Sequence, residues 1–522
     1  MESKQRINTY RNLNNWHNFR LRLFGEGIIV GLFAGVIVGF FRYALNFVEA
    51  QRGAIYRYMA ASDWVITVLW FGILLLTAAL LHFLVAHEPL SAGSGIPQVK
   101  GAILGFFKMR WLHVLWTKLA GGILGIGAGL SLGREGPSIQ LGAMVAQGLS
   151  RFLGRSRMEE RYLLTSGASA GLAAAFNAPL AGVIFSLEEL HHNFSAVVLL
   201  PAMAAALTAT AISQLIFGSA TIFNFLDLPP LPLQYFGLII ILGLILGIFG
   251  ALFNYALINI SKFYQLPFFK NTFARAAFAL TLAGILGFYL PEVLGGGNEL
   301  IDTIAKKHFP LTIIAIFLCG KFIFTMLSYG SGVPGGFFLP MLVIGALAGN
   351  LIGIFMVDLG LLNPYFQQNI VVFAMAAFFT ASVRAPITGT ILVMEMTGSF
   401  EHLFPLVIAS VSAYLAAEVC KTEPIYDRLL QRSLDSMNKQ NTNYVPDKTR
   451  NVIEISICSG CALDGKLVKN ITWPIHTLLV DVKRGESDIV PNGETLLLAG
   501  DFLYVLTDNA NAANVRKLAE EK

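Results

Sequence analysis

Charge is what this sequence has least of. Only 13% of its 522 residues are charged, against 55% apolar, whereas soluble proteins carry roughly 25% charge. That shortage excludes a soluble enzyme and a disordered scaffold. Cysteine is also scarce. Four in the whole chain cannot build a secreted disulfide framework, and they leave the redox compartment unconstrained. The shortage of charge is uneven: residues 433–522 are charged like an ordinary soluble domain, and residues 1–432 fall below the chain average. Glycine and proline, by contrast, are abundant, at 50 and 20 residues. That is too many for simple helical rods and predicts membrane helices that are repeatedly interrupted.

The uncharged runs fit that expectation. Residues 65–85 contain one His, and residues 197–217 and 235–260 contain no charge. Each is long enough to cross a hydrocarbon layer of about 30 Å. The apolar runs 123–132, 340–356 and 371–379 are shorter and cut by glycine, which reads as broken or re-entrant helices. Before the first span stand Lys4, Arg6, Arg11, Arg20 and Arg22 against Glu2. This is not a cleavable signal, and the positive-inside rule places it in the cytoplasm. The net charge of +5 gives no reason to expect nucleic acid, because the basic residues suit loop topology.

The body repeats itself at a spacing near 205 residues. Gly93-Ser94-Gly95 corresponds to Gly295-Gly296-Gly297; Lys118, Gly127, Gly129, Pro137 and Gly142 correspond to Lys321, Gly330, Gly332, Pro340 and Gly345; Ala178-Pro179, Gly182 and Glu188 correspond to Ala385-Pro386, Gly389 and Glu395. Two homologous halves with matched helix breaks are the mark of a transporter-type fold. Whether the repeats are parallel or inverted does not follow from spacing.

A helix broken within the membrane exposes unpaired N–H groups and about half a positive charge at its N-terminus. Several such ends aimed at one point make an anion site without a full cation. The candidate breaks are GSGIP at 93–97, GREGP at 133–137 and GGFFLP at 335–340. Helix packing through small residues is the plain alternative.

In that order and spacing, these three blocks resemble the CLC chloride channel and transporter family. NAPLAG at 177–182, Glu188-Glu189 and Tyr426 in KTEPIYDRLL fit the resemblance too, which covers residues 20–431. It implies an all-α polytopic membrane fold of two inverted repeats with broken, tilted helices. It also implies a homodimer with one anion pathway per subunit. On this resemblance Ser94, with Gly95 and Ile96 behind it, and Tyr426 bind the anion from the inner side. Phe337 and Phe338 turn backbone N–H groups to the central anion. Glu135 is the gating glutamate, and Glu189 is the inner glutamate that hands over protons. The match of Glu188 to Glu395 suggests that those two are structural.

Three departures or choices qualify the resemblance. Gln98 stands where the family usually has an acid. Lys100 is a cation where some exchangers have another acid near the inner glutamate. Ser94 in place of Pro implies chloride over nitrate, and GSG without Asn, together with GREGP, argues against the fluoride-exporting branch.

The tail reads as short β-runs at 451–457, 478–482, 495–498 and 502–506. The stretch from Pro491 to Leu506 resembles the TrkA-C domain, the C-terminal domain of potassium-conductance regulators. This implies a small α+β cytoplasmic module that pairs with itself or binds an unidentified small ligand. The paired CBS domains of eukaryotic relatives are absent, which favours a prokaryotic source. Two motifs here are decoys. Residues 460–466 have P-loop spacing, but Leu467 replaces the required Ser or Thr. Cys458 and Cys461 form a CxxC without a second pair to complete a zinc site, so they read as incidental buried thiols.

The expected organisation is a cytoplasmic segment 1–24, a membrane domain 25–431 with repeats 25–220 and 235–431, a linker 432–443 and a regulatory tail 444–522. The expected function is chloride/proton antiport in a prokaryotic plasma membrane, with both termini cytoplasmic and no enzyme chemistry, cofactor or metal. A passive chloride channel is the first alternative. A potassium-transport regulatory subunit, suggested only by the tail, is the second, and the body has no TVGYG-type filter to support it.

Overall fold

The computed structural model describes residues 2–59, 64–192, 194–223, 225, 228–269, 271–307, 309–440, 450–458, 460–485, 487–508 and 511–520. The side chains of Lys4, Arg6 and Arg11, and residues 441–449 of the expected linker and tail, lie outside the described residues. The chain divides into two units, Met1–Arg432 and Ser433–Lys522.

The larger unit is helical. Among the described residues, nine helices are long and apolar enough to cross a membrane. Leu69, Phe83, Ile248 and Leu415 lie exposed on them, as lipid-facing positions must. The first helix runs Glu2–Met59, continuous through residue 24.

The interior packs through small residues. In the hairpin of helices Glu135–Phe152 and Arg157–Phe176, a Cβ on Gly142 would collide with the Gly167 backbone, and one on Gly171 with Ser138. Backbones approach this closely only where side chains are missing. Ser138, Ser166 and Ser169 donate to the carbonyls of Arg134, Tyr162 and Thr165, four residues back, at 2.8, 2.9 and 3.0 Å. Hydroxyls are thus satisfied without water. A capping box opens the second helix: Glu159 N–H donates to Ser156 Oγ at 3.3 Å, and Ser156 N–H to Glu159 Oε2 at 2.9 Å.

Two of the runs expected to be short are not. Residues 340–356 and 371–379 lie inside the helices Phe338–Asp358 and Gln367–Val383, 21 and 17 residues long. Their glycines are packing sites: a Cβ on Gly345 would stand 3.0 Å from Phe378, and one on Gly349 would strike Ala374. Polar residues such as Asn350, Gln367 and Asn369 cut the hydropathy pattern, yet they are buried and bonded inside the protein. Asn369 Nδ2, for example, donates to Pro229 O at 2.8 Å. The run 123–132 does break, where the helix Trp111–Gly127 ends.

Equivalent residues of the two halves do equivalent work. Buried Lys118 donates to Ser91 O and Gly93 O at 2.9 and 2.6 Å; buried Lys321 donates to Val293 O and Gly295 O at 3.0 and 2.7 Å. Gly95 and Gly297 precede their helices with φ of 92° and 96°, a left-handed conformation that glycine adopts without strain. Gly133 and Gly336, 203 residues apart, form an antiparallel bridge. A bridge of that sense between equivalent residues requires a local two-fold axis, as inverted repeats have.

The smaller unit has strands β1 (Arg450–Ser456), β2 (Leu478–Arg484), β3 (Ser487–Ile489) and β4 (Phe502–Asp508) in one antiparallel sheet of order β1-β4-β2-β3. A helix, Ala512–Glu520, buries Val515 and Ala519 against Ile453, Leu503 and Val505. The expected strand at 495–498 does not join the sheet. Its backbone pairs instead with the loop at 465–468, through Gly465 N–H to Leu497 O, Leu497 N–H to Lys466 O and Val468 N–H to Thr495 O. Cys461 is buried as expected, whereas Cys458 is exposed.

Candidate ion site

Four chain segments meet in the interior of the larger unit. The GSGIP loop leads into the helix Ile96–Ile103, GREGP into Glu135–Phe152, GGFFLP into Phe338–Asp358, and Tyr426 sits in the first turn of Ile425–Gln440. Backbone bonds join the loops: Gly335 N–H donates to Gly93 O at 2.9 Å, and Gly336 N–H to Gly133 O at 2.9 Å. A Cβ on Gly136 would stand 2.7 Å from Ser94 O. Glycine at these places lets three helix N-termini, with their unpaired N–H groups, approach one another.

The sequence-predicted residues lie together here. Ser94, Gly95, Ile96, Glu135, Phe337, Phe338 and Tyr426 are all buried. The Phe337 ring stacks on Tyr426 with centroids 5.4 Å apart. Phe338 packs against Phe176, Phe185 and Phe379 at 5.5, 5.9 and 4.9 Å. Ile96 N–H donates to Ser94 Oγ at 3.3 Å. The Tyr426 hydroxyl has no hydrogen-bond partner among the described residues. Tyr329, which sequence reasoning missed, also belongs here. Its hydroxyl lies against Ser94, and its ring meets Phe337 edge-on at 4.9 Å. Its one sequence signal is its place directly before Gly330, the repeat partner of Gly127.

Glu135 is fully buried. Its carboxylate leans on its own backbone N–H and on that of Leu339, more loosely than a formed hydrogen bond. The nearest cation, Arg134 Nε, is 3.9 Å away. A Cβ on Gly133 would collide with this carboxylate. Glu135 therefore occupies the place where the N-termini of two helices, one from each repeat, converge. A cavity of about 750 Å³, walled in part by Arg134, Leu339, Glu49, Arg52 and Glu299, opens beside it.

The second pair of acids separates cleanly. A π-helical turn, Ser186–His191, carries both Glu188 and Glu189. Glu188 accepts from Ile387 N–H, Thr388 N–H and Thr388 Oγ1 at 3.3, 2.8 and 2.7 Å. Its repeat partner Glu395 accepts from Leu180 N–H and Ala181 N–H at 3.1 and 2.8 Å. Glu189, 3% exposed, instead accepts from Lys100 Nζ at 2.9 Å. Lys100 also pairs with Asp427, another residue that sequence reasoning passed over. Among the described residues no cluster of three or more His, Cys, Asp or Glu is placed to hold a metal.

The voltage-gated chloride channel family model matches residues 72–418. The chain belongs to that family. The H(+)/Cl(-) exchange transporter ClcA of Vibrio cholerae serotype O1 is 34% identical over 444 residues, 80% of this chain and 91% of the relative. The ClcA of Vibrio vulnificus is 35% identical over 430 residues, 79% and 90% of the two chains. Among solved structures, a slow cyanobacterial Cl-/H+ antiporter superposes with a TM-score of 0.76 at 31% identity, over 80% of this chain and 99% of that one. The tail matches the TrkA-C domain over residues 452–520. The CLC fold thus accounts for the larger unit, and this multi-pass membrane protein carries a TrkA-C domain at its end.

Proposed function

We propose that this chain exchanges chloride for protons across the plasma membrane of a prokaryotic cell. The observation that carries this reading is the buried Glu135 carboxylate, held without a full hydrogen bond where helix N-termini of the two repeats meet. An anion and an ionised carboxylate compete for the same N–H donors. Protonation neutralises Glu135 and frees those donors, so anion movement and proton movement become linked. Ser94 and Tyr426 offer hydroxyls to the anion at the inner end, Gly95 and Ile96 form the helix start behind Ser94, and the backbones of Phe337 and Phe338 face it centrally.

Glu189 is the inner proton acceptor in this scheme. A passive channel needs no such acid, and a buried Glu189 at this position favours exchange. The subunits pair as a homodimer with one pathway each, and both termini lie in the cytoplasm. Residues 444–522 act as a regulatory module that pairs with its copy or takes a small ligand. The exchangers ClcA and the cyanobacterial antiporter support the choice of substrates.

Purified protein in liposomes decides between the readings. A chloride gradient should drive proton movement with no pH gradient imposed. Chloride flux without proton movement would leave the passive channel.

A further inference from the structure

Lys100 has two acids on one ammonium. The side chain is 1% exposed. Its Nζ donates to Glu189 Oε1 at 2.9 Å and pairs on the other side with Asp427. The acids differ in their access to water: the Glu189 side chain is 4% exposed and that of Asp427 36%. Among the described residues, the charged groups that act most on Glu189 are Lys100, Asp427 and Glu188, with the neutral Tyr426 phenol also close enough to couple to it, and Glu188 is already occupied by the N-terminus of the helix Pro386–Thr397. Asp427 follows Tyr426 directly, in the first turn of Ile425–Gln440.

A buried ammonium is costly without a counter-ion, and removing one partner of a buried pair is strongly destabilising. If Lys100 faced Glu189 alone, protonating Glu189 would strand the lysine charge. The pair would resist the protonation that transport requires. With Asp427 present, the ammonium keeps a partner in both states.

We propose that Asp427 is a positioning residue for proton transfer, the alternate counter-ion that lets Glu189 take up and release its proton beside a permanently charged Lys100. This rests on the reading of Glu189 as the inner proton acceptor. A hydronium ion on the side that Asp427 faces gives its proton to the Glu189 carboxylate, forming an O–H bond there and leaving water. Lys100 keeps its three hydrogens and moves its pairing to Asp427. When the proton leaves Glu189, the three-way pairing returns.

The test uses full-length protein in liposomes, with proton and chloride fluxes measured together. Asp427→Asn should slow proton transport by about tenfold or more, since one partner of a mostly buried pair is lost. Chloride flux should persist, which also shows that the variant is folded. Asp427→Glu should keep proton transport. The decisive variant is Lys100→Met with Asp427→Asn: without the ammonium no counter-ion is needed, and proton transport should recover. Unchanged proton flux in Asp427→Asn overturns the proposal. So does a double variant as slow as the single one, which would make Asp427 merely structural. Glu189→Gln separates the two levels. Normal proton transport in it removes both the Glu189 reading and this proposal. Loss there, with normal transport in Asp427→Asn, removes this proposal alone.

Discussion

Glu188 and Glu395 cap each other's helices. Each carboxylate accepts backbone N–H groups at the start of the Ala-Pro helix in the opposite repeat, Glu188 at Pro386–Thr397 and Glu395 at Pro179–Phe185. The exchange is reciprocal because the two halves are equivalent. It ties them together at a point where each helix would otherwise leave orphan donors. Glu188→Gln and Glu395→Gln should therefore cost similar stability, about 1–2 kcal/mol each. Thermal unfolding in detergent checks this. A loss confined to one of them would show that the reciprocity is not energetic.

Glu135→Ala removes the carboxylate from the meeting point of the helix N-termini. Chloride should then bind and cross with nothing to compete for the donors, and proton transport should stop. Paired flux measurements in liposomes read this directly. Coupling that survives the substitution would refute a gating role.

Ser94→Pro removes a hydroxyl that accepts from Ile96 N–H and touches Tyr329. The variant should prefer nitrate over chloride, read from competitive exchange of the two anions. An unaltered ranking would count against Ser94 lining the path.

The tail has a pH-sensitive strut. Arg484 Nε and Nη2 donate to the two oxygens of Asp501 at 2.8 and 2.7 Å, and Leu498 N–H donates to Oδ2 at 2.9 Å. Burial alone would raise the Asp501 carboxyl, but the guanidinium and the backbone donor outweigh it and hold the group below the usual carboxylate range. Because the folded state favours the ionised form, this stabilisation is complete above the ordinary aspartate value of about 4 and is lost as pH falls through the folded value. Hydrogen exchange of the full chain should show β4 opening more readily at about pH 3 than at pH 6, and Asp501→Asn should remove that difference.

Much of the site was legible because its motifs are local. Gly95, Gly133 and Gly336 are needed for close approach within a few residues of each helix start, so GSGIP, GREGP and GGFFLP display the breaks in sequence order. Lys118 and Lys321 were visible as repeat partners, though not as donors to the loops at 91–93 and 293–295. Gly345 and Gly349 misled: a glycine that ends a helix and one that admits a neighbouring helix look alike until the neighbour is placed.

The sequence by itself determined the class of protein, the two repeats and the helix starts. Each depends on hydropathy or on backbone geometry over a short stretch, whereas the choice of Glu135 and Glu189 is what the resemblance to the CLC family implies. Only the tertiary structure decided which groups those acids meet. Lys100 lies 89 residues from Glu189, and Asp427 more than 200 beyond that; Tyr329 reaches Ser94 from the other repeat. Ion pairing acts through space and in a dry interior. Its partners are set by packing, which no spacing along the chain records.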